Sequence, residues 1–142
     1  MTWKLAIIVA LGGALGTLAR FGIAQAMAPL SQSLPWGTIA INIAGSFVIG
    51  AFGALTVTSG RYPSSDAVRL FVMVGLCGGF TTFSAFSLQT FDLLRDGAMG
   101  RAALNVAISV IACLGAVATG HCAVTALNGA ARPVATADGE KH

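Results

Sequence analysis

Charge is the scarcest property of this chain. Only 9% of its 142 residues are Asp, Glu, Lys or Arg, where a soluble domain carries about 25%. No charged residue stands between Phe21 and Gly60, and none between Ala102 and Ala131. That poverty excludes a water-soluble globular fold. The formal net charge of +3 is small and spread out, so there is no basic patch and no nucleic-acid partner is expected. Carboxylates are absent from the depth of every apolar stretch, with Asp92 only near the end of one. A proton-coupled carrier needs an ionisable group inside the membrane. There is also no Ser-His or His/Glu constellation and no phosphate-binding loop, so no enzyme is expected. Cysteine is sparse and odd in number: Cys77, Cys113 and Cys122. An odd count inside apolar segments argues against a disulfide framework, their spacing suits no zinc site, and they read as small packing residues.

What remains is apolar: 56% of the chain is hydrophobic. A spanning helix takes about 20 apolar residues, and the length accommodates four such spans with short connections. The fold class is therefore an all-α membrane protein. Span one is expected over Leu5 to Met27, with Trp3 and Lys4 as an interfacial anchor. Ala26-Met27-Ala28 resembles a signal-peptide cleavage site, but the stretch is long and contains Arg20, which favours an uncleaved span. Span two is expected over Gly37 to Thr58, after Pro35 and Trp36. Span three is expected over Val68 to Leu94, after a polar loop, Ser59 to Ala67, that holds Arg61, Tyr62, Pro63 and Asp66. Span four is expected over Arg101 to Leu127, after the tight turn Arg95-Asp96-Gly97. Residues 1–127 thus form the membrane domain, and residues 128–142 read as a polar, disordered tail. Gly12 with Gly16, and Ser46 with Gly50, have the small-xxx-small spacing that lets helices approach closely. Lys4, Arg61, Arg69 and Arg132 fall on one side, Arg95 and Arg101 on the other. This bias is slight, so a single orientation and insertion both ways stay open.

The densest information lies in the run from Gly78 to Phe86, inside a stretch without charge from Leu70 to Phe91. Two adjacent glycines weaken a helix, and non-helical backbone at membrane depth survives only inside protein or along a water-filled cavity. The hydroxyls of Thr81, Thr82 and Ser84 can bond back to a carbonyl one turn earlier or face a solute. Carbonyls exposed at such a break can hold a cation. Phe83 and Phe86 stand three apart, on one helical face. They can be packing, or a wall of positive ring edges suited to a small anion. Asn42 is the only strongly polar residue of span two, either an interhelical hydrogen bond or a donor to a solute. Arg20 is the only cation inside a span, either an anchor that snorkels to the interface or an attractor of anions. His121 reads as a polar packing or interfacial residue.

Three segments together resemble one family. Gly12 to Phe21 (GGALGTLARF) is similar to its first-span motif, Trp36 to Phe47 (WGTIAINIAGSF) to its second, and Gly75 to Phe86 (GLCGGFTTFSAF) to its third. This is the CrcB/Fluc family of bacterial fluoride channels. The resemblance covers the chain from Trp3 to Leu127. It implies an antiparallel, dual-topology homodimer of four-helix subunits with a broken third helix, multi-pass in the bacterial cytoplasmic (inner) membrane, with two fluoride pores. It implies a structural sodium ion at the dimer interface, held by the backbone carbonyls of Gly78 and Thr81. On this chain Asn42 would donate to fluoride, and Phe83 and Phe86 would line its path with ring edges. Thr82, Ser84 and Ser109 would supply hydroxyls near the path, and Arg20 matches the first-span arginine. The family pattern usually has a second threonine where this chain has Ala85, so one hydroxyl is missing from that face. The reading is therefore a passive fluoride-selective channel that relieves fluoride toxicity. The rivals are a small dual-topology transporter, which would need a first-span carboxylate this chain lacks, and a structural membrane subunit whose polar residues only hold helices together.

Overall fold

A computed structural model describes residues 3–56 and 64–130. Among these residues every regular element is helical. Four stretches are long and apolar enough to cross a bilayer: Trp3–Leu30, Trp36–Thr56, Asp66–Arg95 and Met99–Leu127. The chain is a multi-pass membrane protein.

Helix α1 (Trp3–Met27) runs into a 3₁₀ turn, Ala28–Leu30, with proline in its first turn. Ser31 then ties two spans together. Its hydroxyl donates to the Met27 carbonyl at 3.0 Å and accepts the Gly37 N–H at 3.1 Å. This satisfies one orphan carbonyl and one orphan N–H at facing helix ends. Helix α2 (Trp36–Thr56) follows.

The third span comes in pieces. Helix α3 (Asp66–Arg69) is capped by Ser65, whose hydroxyl accepts the Val68 N–H. That cap starts the span at Asp66, two residues earlier than the hydropathy suggests. A stretch of wide π-helical turns, Leu70–Cys77, leads to α4 (Gly78–Phe80). Thr81 (φ −77°, ψ 158°) and Thr82 (φ −150°, ψ 110°) are extended, and α5 (Phe83–Arg95) resumes the span. The interruption therefore falls after the glycine pair, which is itself helical. A tight turn with Gly97 at φ +74°, where a Cβ would be strained, opens α6 (Met99–Ala130). Helix α6 continues three residues past Leu127 into the expected tail. Arg61, Tyr62 and Pro63 of the loop, and the tail from 131 onward, lie outside the described residues.

Helix α1 packs on the third span through glycines rather than large side chains. A Cβ on Gly16 would overlap the Leu76 carbonyl, and one on Gly79 would stand 2.5 Å from the Gly13 carbonyl oxygen. Of the glycine pair, Gly79 is thus needed where backbone meets backbone, while a Cβ on Gly78 would meet nothing within 4 Å. Helices α2 and α6 cross in the same way, Gly50 against Val117 and Gly120 against Phe47. In lipid no hydrophobic force pulls helices together, so such close van der Waals contact must do it. At the far end Arg69 donates to the Thr56 hydroxyl at 2.6 Å, and Thr56 donates to the Phe52 carbonyl at 2.7 Å. This pins the start of the third span to the end of α2.

Two identical substitutions six residues apart on α1 test this packing. Gly16→Ala should lower the thermal midpoint of the detergent-solubilised protein and broaden its size-exclusion peak. Gly22→Ala, which meets nothing within 4 Å, should leave both unchanged or gain up to about 1 kcal/mol from helix propensity.

Candidate functional site

The interruption in the third span depends on Asn42. The Thr82 N–H donates to Asn42 Oδ1 at 2.8 Å, and Asn42 Nδ2 donates to the Thr82 carbonyl at 3.1 Å. A side-chain amide here imitates a neighbouring strand, meeting both polar groups of one extended residue. Reversing the amide would set donor against donor, so the network fixes its orientation. One N–H of Nδ2 is left over for another acceptor. In an unbroken helix the Thr82 N–H would serve the Gly78 carbonyl; given to Asn42, it leaves that carbonyl without its helical donor. Thr82 also caps α5, its hydroxyl accepting the Ala85 N–H at 3.1 Å and lying 3.3 Å from Ser84 Oγ. The Thr81 hydroxyl bonds back to the Cys77 carbonyl at 2.9 Å, as expected for threonine in an apolar helix.

Beside this junction lies a cavity of about 400 Å³, between α2, the interruption, α5 and α6. Asn42, Thr81, Phe83, Phe86 and Ser109 all line it. The two rings stand 5.3 Å apart between centroids, tilted by 47°, so they present edges and faces in different directions. No charged side chain lines the cavity. The N-terminus of α5 sits at the same depth, and a helix N-terminus carries a partial positive charge. The surroundings are neutral but polarised, with an amide N–H, a hydroxyl, ring edges and a helix dipole. Such a site favours an anion without fixing it to a counter-charge.

The other expected residues lie around this cavity rather than in it. Ser84 is exposed and reaches the site only through Thr82. Gly78 is exposed on the opposite flank of the interruption. Arg20 is half-buried on α1, one turn before Ala24. Ala24 lines a second cavity, also of about 400 Å³, where the α1–α2 connection meets the end of α5. This mouth cavity is polar, with Ser31, Ser33, Thr38, Gln89, Asp92 and Asp96 in its wall. Among the described residues, no group of three or more His, Cys, Asp or Glu could hold a metal.

Sequence reasoning gave no role to a polar pair between α5 and α6. Asn105 is wholly buried and donates through Nδ2 to the Thr90 hydroxyl at 2.8 Å, which donates to the Phe86 carbonyl at 2.7 Å. Asn105 Oδ1 and Gln89 Oε1 are buried without a partner. Asn105, Ser109 and Cys113 recur every four residues, which places them on one helical face. That spacing was the available signal. Cys77 and Cys113 also line the first cavity, so they are not buried in packing alone.

Comparison with known proteins gives a consistent result. The profile of the family described as "CrcB-like protein, Camphor Resistance (CrcB)" matches residues 7–121. A "Fluoride-specific ion channel FluC" of Gluconobacter oxydans is 58% identical over 142 residues, covering 99% of both chains. A protein of the same description from Methylobacterium radiotolerans is 56% identical over 135 residues, covering 95% of this chain and 94% of its own. Another, from Methylocella silvestris, is 52% identical over 121 residues, 84% of this chain and 92% of its own.

Removing the Asn42 amide should free two backbone groups at membrane depth. Asn42→Ala should therefore cost roughly 1–3 kcal/mol, read as a lower midpoint in detergent unfolding. Phe83→Ile should lower that midpoint less, because Phe83 is 79% exposed within the subunit and its side chain satisfies no backbone group.

Proposed function

The chain belongs to the CrcB family, and we propose on that premise that it is a passive fluoride channel that lets the ion leave the bacterial cytoplasm and so relieves its toxicity. The observation that carries the reading is the convergence of Asn42, Thr81, Phe83, Phe86 and Ser109 on one uncharged cavity at membrane depth. Fluoride is small and strongly hydrated. A path for it must replace water with hydrogen-bond donors at short range, yet bind weakly enough to release it. The spare N–H of Asn42, the Ser109 hydroxyl and the edges of Phe83 and Phe86 meet both conditions. Thr82 and Ser84 act from behind, shaping the interruption, and Arg20 draws anions towards the mouth. The relatives that the chain matches are described as ion channels rather than enzymes, which supports this reading.

The subunit works as an antiparallel homodimer in the bacterial inner membrane. The face of α5 that carries Phe83 and Ser84 supports this, because both residues are exposed in the single subunit, Phe83 although it also lines the cavity. A second copy would cover that face. The exposed Gly78, with its carbonyl released by the Asn42–Thr82 pairing, fits the family's sodium site. The carbonyls of Gly78 and Thr81 from the two copies would hold the ion there, and sodium would neutralise carbonyl dipoles brought together about a two-fold axis. A small dual-topology transporter fits less well, since the cavity has no carboxylate to carry a proton. A purely structural subunit would leave the donors of the cavity without a solute.

Purified protein in liposomes decides between these readings. Fluoride should leave down its gradient while chloride, run in parallel, stays. Flux of neither ion from folded protein would leave the structural reading standing. Phe83→Ile and Asn42→Ala should each slow fluoride by about tenfold or more, equivalent to raising the passage barrier by about 1.4 kcal/mol, with the dimer intact on size exclusion. Parental flux in both variants would overturn the site assignment.

A further inference from the structure

The mouth cavity holds the charges that the ion path lacks. Asp92 and Asp96 both line it. Arg95, between them in sequence, reaches Asp92 Oδ1 at 3.2 Å and Asp96 Oδ1 at 3.9 Å. From the start of α6, Arg101 donates to the Ser33 carbonyl at 3.5 Å, and Ser33 is part of the same wall. Two acids and two bases thus share one end of the molecule. The cavity also includes Gln89, whose Oε1 is buried without a partner. Gln89 stands three residues after Phe86 and three before Asp92, so these residues follow one another along one side of α5. An anion approaching Phe86 along that side passes the carboxylates first.

We propose that Asp92, Asp96 and Arg95 set the rate at which fluoride reaches the path, the two carboxylates repelling it and Arg95 offsetting them. This rests on the reading of the chain as a fluoride channel. Arg95 offsets the two carboxylates from within the same turn, its contacts to both being solvent-exposed. A unit charge about 8 Å from an ion in water changes the local ion concentration about twofold. That influence reaches about 10 Å at 0.1 M salt and about 3 Å at 1 M. The charges at this mouth therefore act at low ionic strength and fade at high ionic strength. Asp92 and Asp96 are the charged residues that line this cavity, and none lines the first; Arg95 acts through its contacts to them, and Arg101 stands off the wall at Ser33.

The test compares initial fluoride efflux from liposomes at ionic strengths of about 0.02 M and about 1 M, where the screening length falls from over 20 Å to about 3 Å. At low ionic strength the double variant Asp92→Asn/Asp96→Asn should run about two- to fourfold faster than the parent. Arg95→Gln should run about twofold slower. All should converge on the parent at high ionic strength. A purely structural role for this turn would instead slow every variant, irrespective of salt. The proposal is overturned if the acid and base variants shift flux in the same direction, if the differences persist at high ionic strength, or if no variant differs from the parent at either. Should Arg95→Gln not assemble, the single variants Asp92→Asn and Asp96→Asn decide alone, each expected to be faster and salt-sensitive. A parent that passes no fluoride would refute the channel reading itself. A parent that conducts, with variants that match it, would refute only this inference.

Discussion

Everything at the centre of this subunit depends on one side-chain amide paired with one stretch of main chain. Backbone that leaves helical geometry in a bilayer loses hydrogen bonds it cannot replace from lipid. Asn42 restores both for Thr82, and from that pairing follow the free carbonyl on Gly78, the cap on α5 and the position of Phe83 at the edge of the cavity. The helix end so created brings a partial positive charge to membrane depth without any ionised residue. A polarised but neutral site results, which suits an ion that has to pass through rather than stay.

The rest of the fold is built to let this happen in a medium that gives little help. Few side chains are fully buried, and the wholly buried ones include a polar residue, Asn105. Cohesion comes from backbones brought together at glycines, α1 on the third span and α2 on α6. Ser31, Arg69 and Thr56 then bind the helix ends. Large apolar side chains such as Leu11, Leu15, Leu18 and Phe21 are left on the outside of α1, where a soluble protein would not put them.

Much of this was legible in the sequence. Four apolar stretches of about twenty residues or more, with Arg20 the one cation away from their ends, indicated the number of spans, because hydrocarbon tolerates little else. Thr81, Phe83 and Phe86 stood out as polar or aromatic residues just after a pair of glycines, and Asn42 as the only strongly polar residue of its span. Where the helix would open was less legible. Glycine is a poor helix former, but here both glycines are helical, Gly79 serves close approach to α1, and the opening is set by a partner forty residues away in sequence, which no local pattern reveals. The span ends moved for a similar reason: Ser65 supplies a cap that hydropathy does not register. The pairing of Thr90 with Asn105 carries no local signal in the sequence, because its importance lies in a contact across two helices. Cys77 and Cys113, small and apolar in character, gave no hint that they faced a cavity.

The Asn42–Thr82 pairing also has a consequence for how this protein can change over generations. Asn42 reads the main chain of residue 82, which every amino acid but proline supplies, while Thr82 depends on the identity of the side chain at 42. Replacement of the asparagine by aspartate would lose the donor, and glutamine would place its amide one carbon further out. Residue 82, by contrast, can exchange its side chain and keep the pairing, as long as something else caps the helix that follows. The two halves of one bond are thus constrained unequally: position 42 through its side chain, position 82 through its main chain and the cap that its hydroxyl provides.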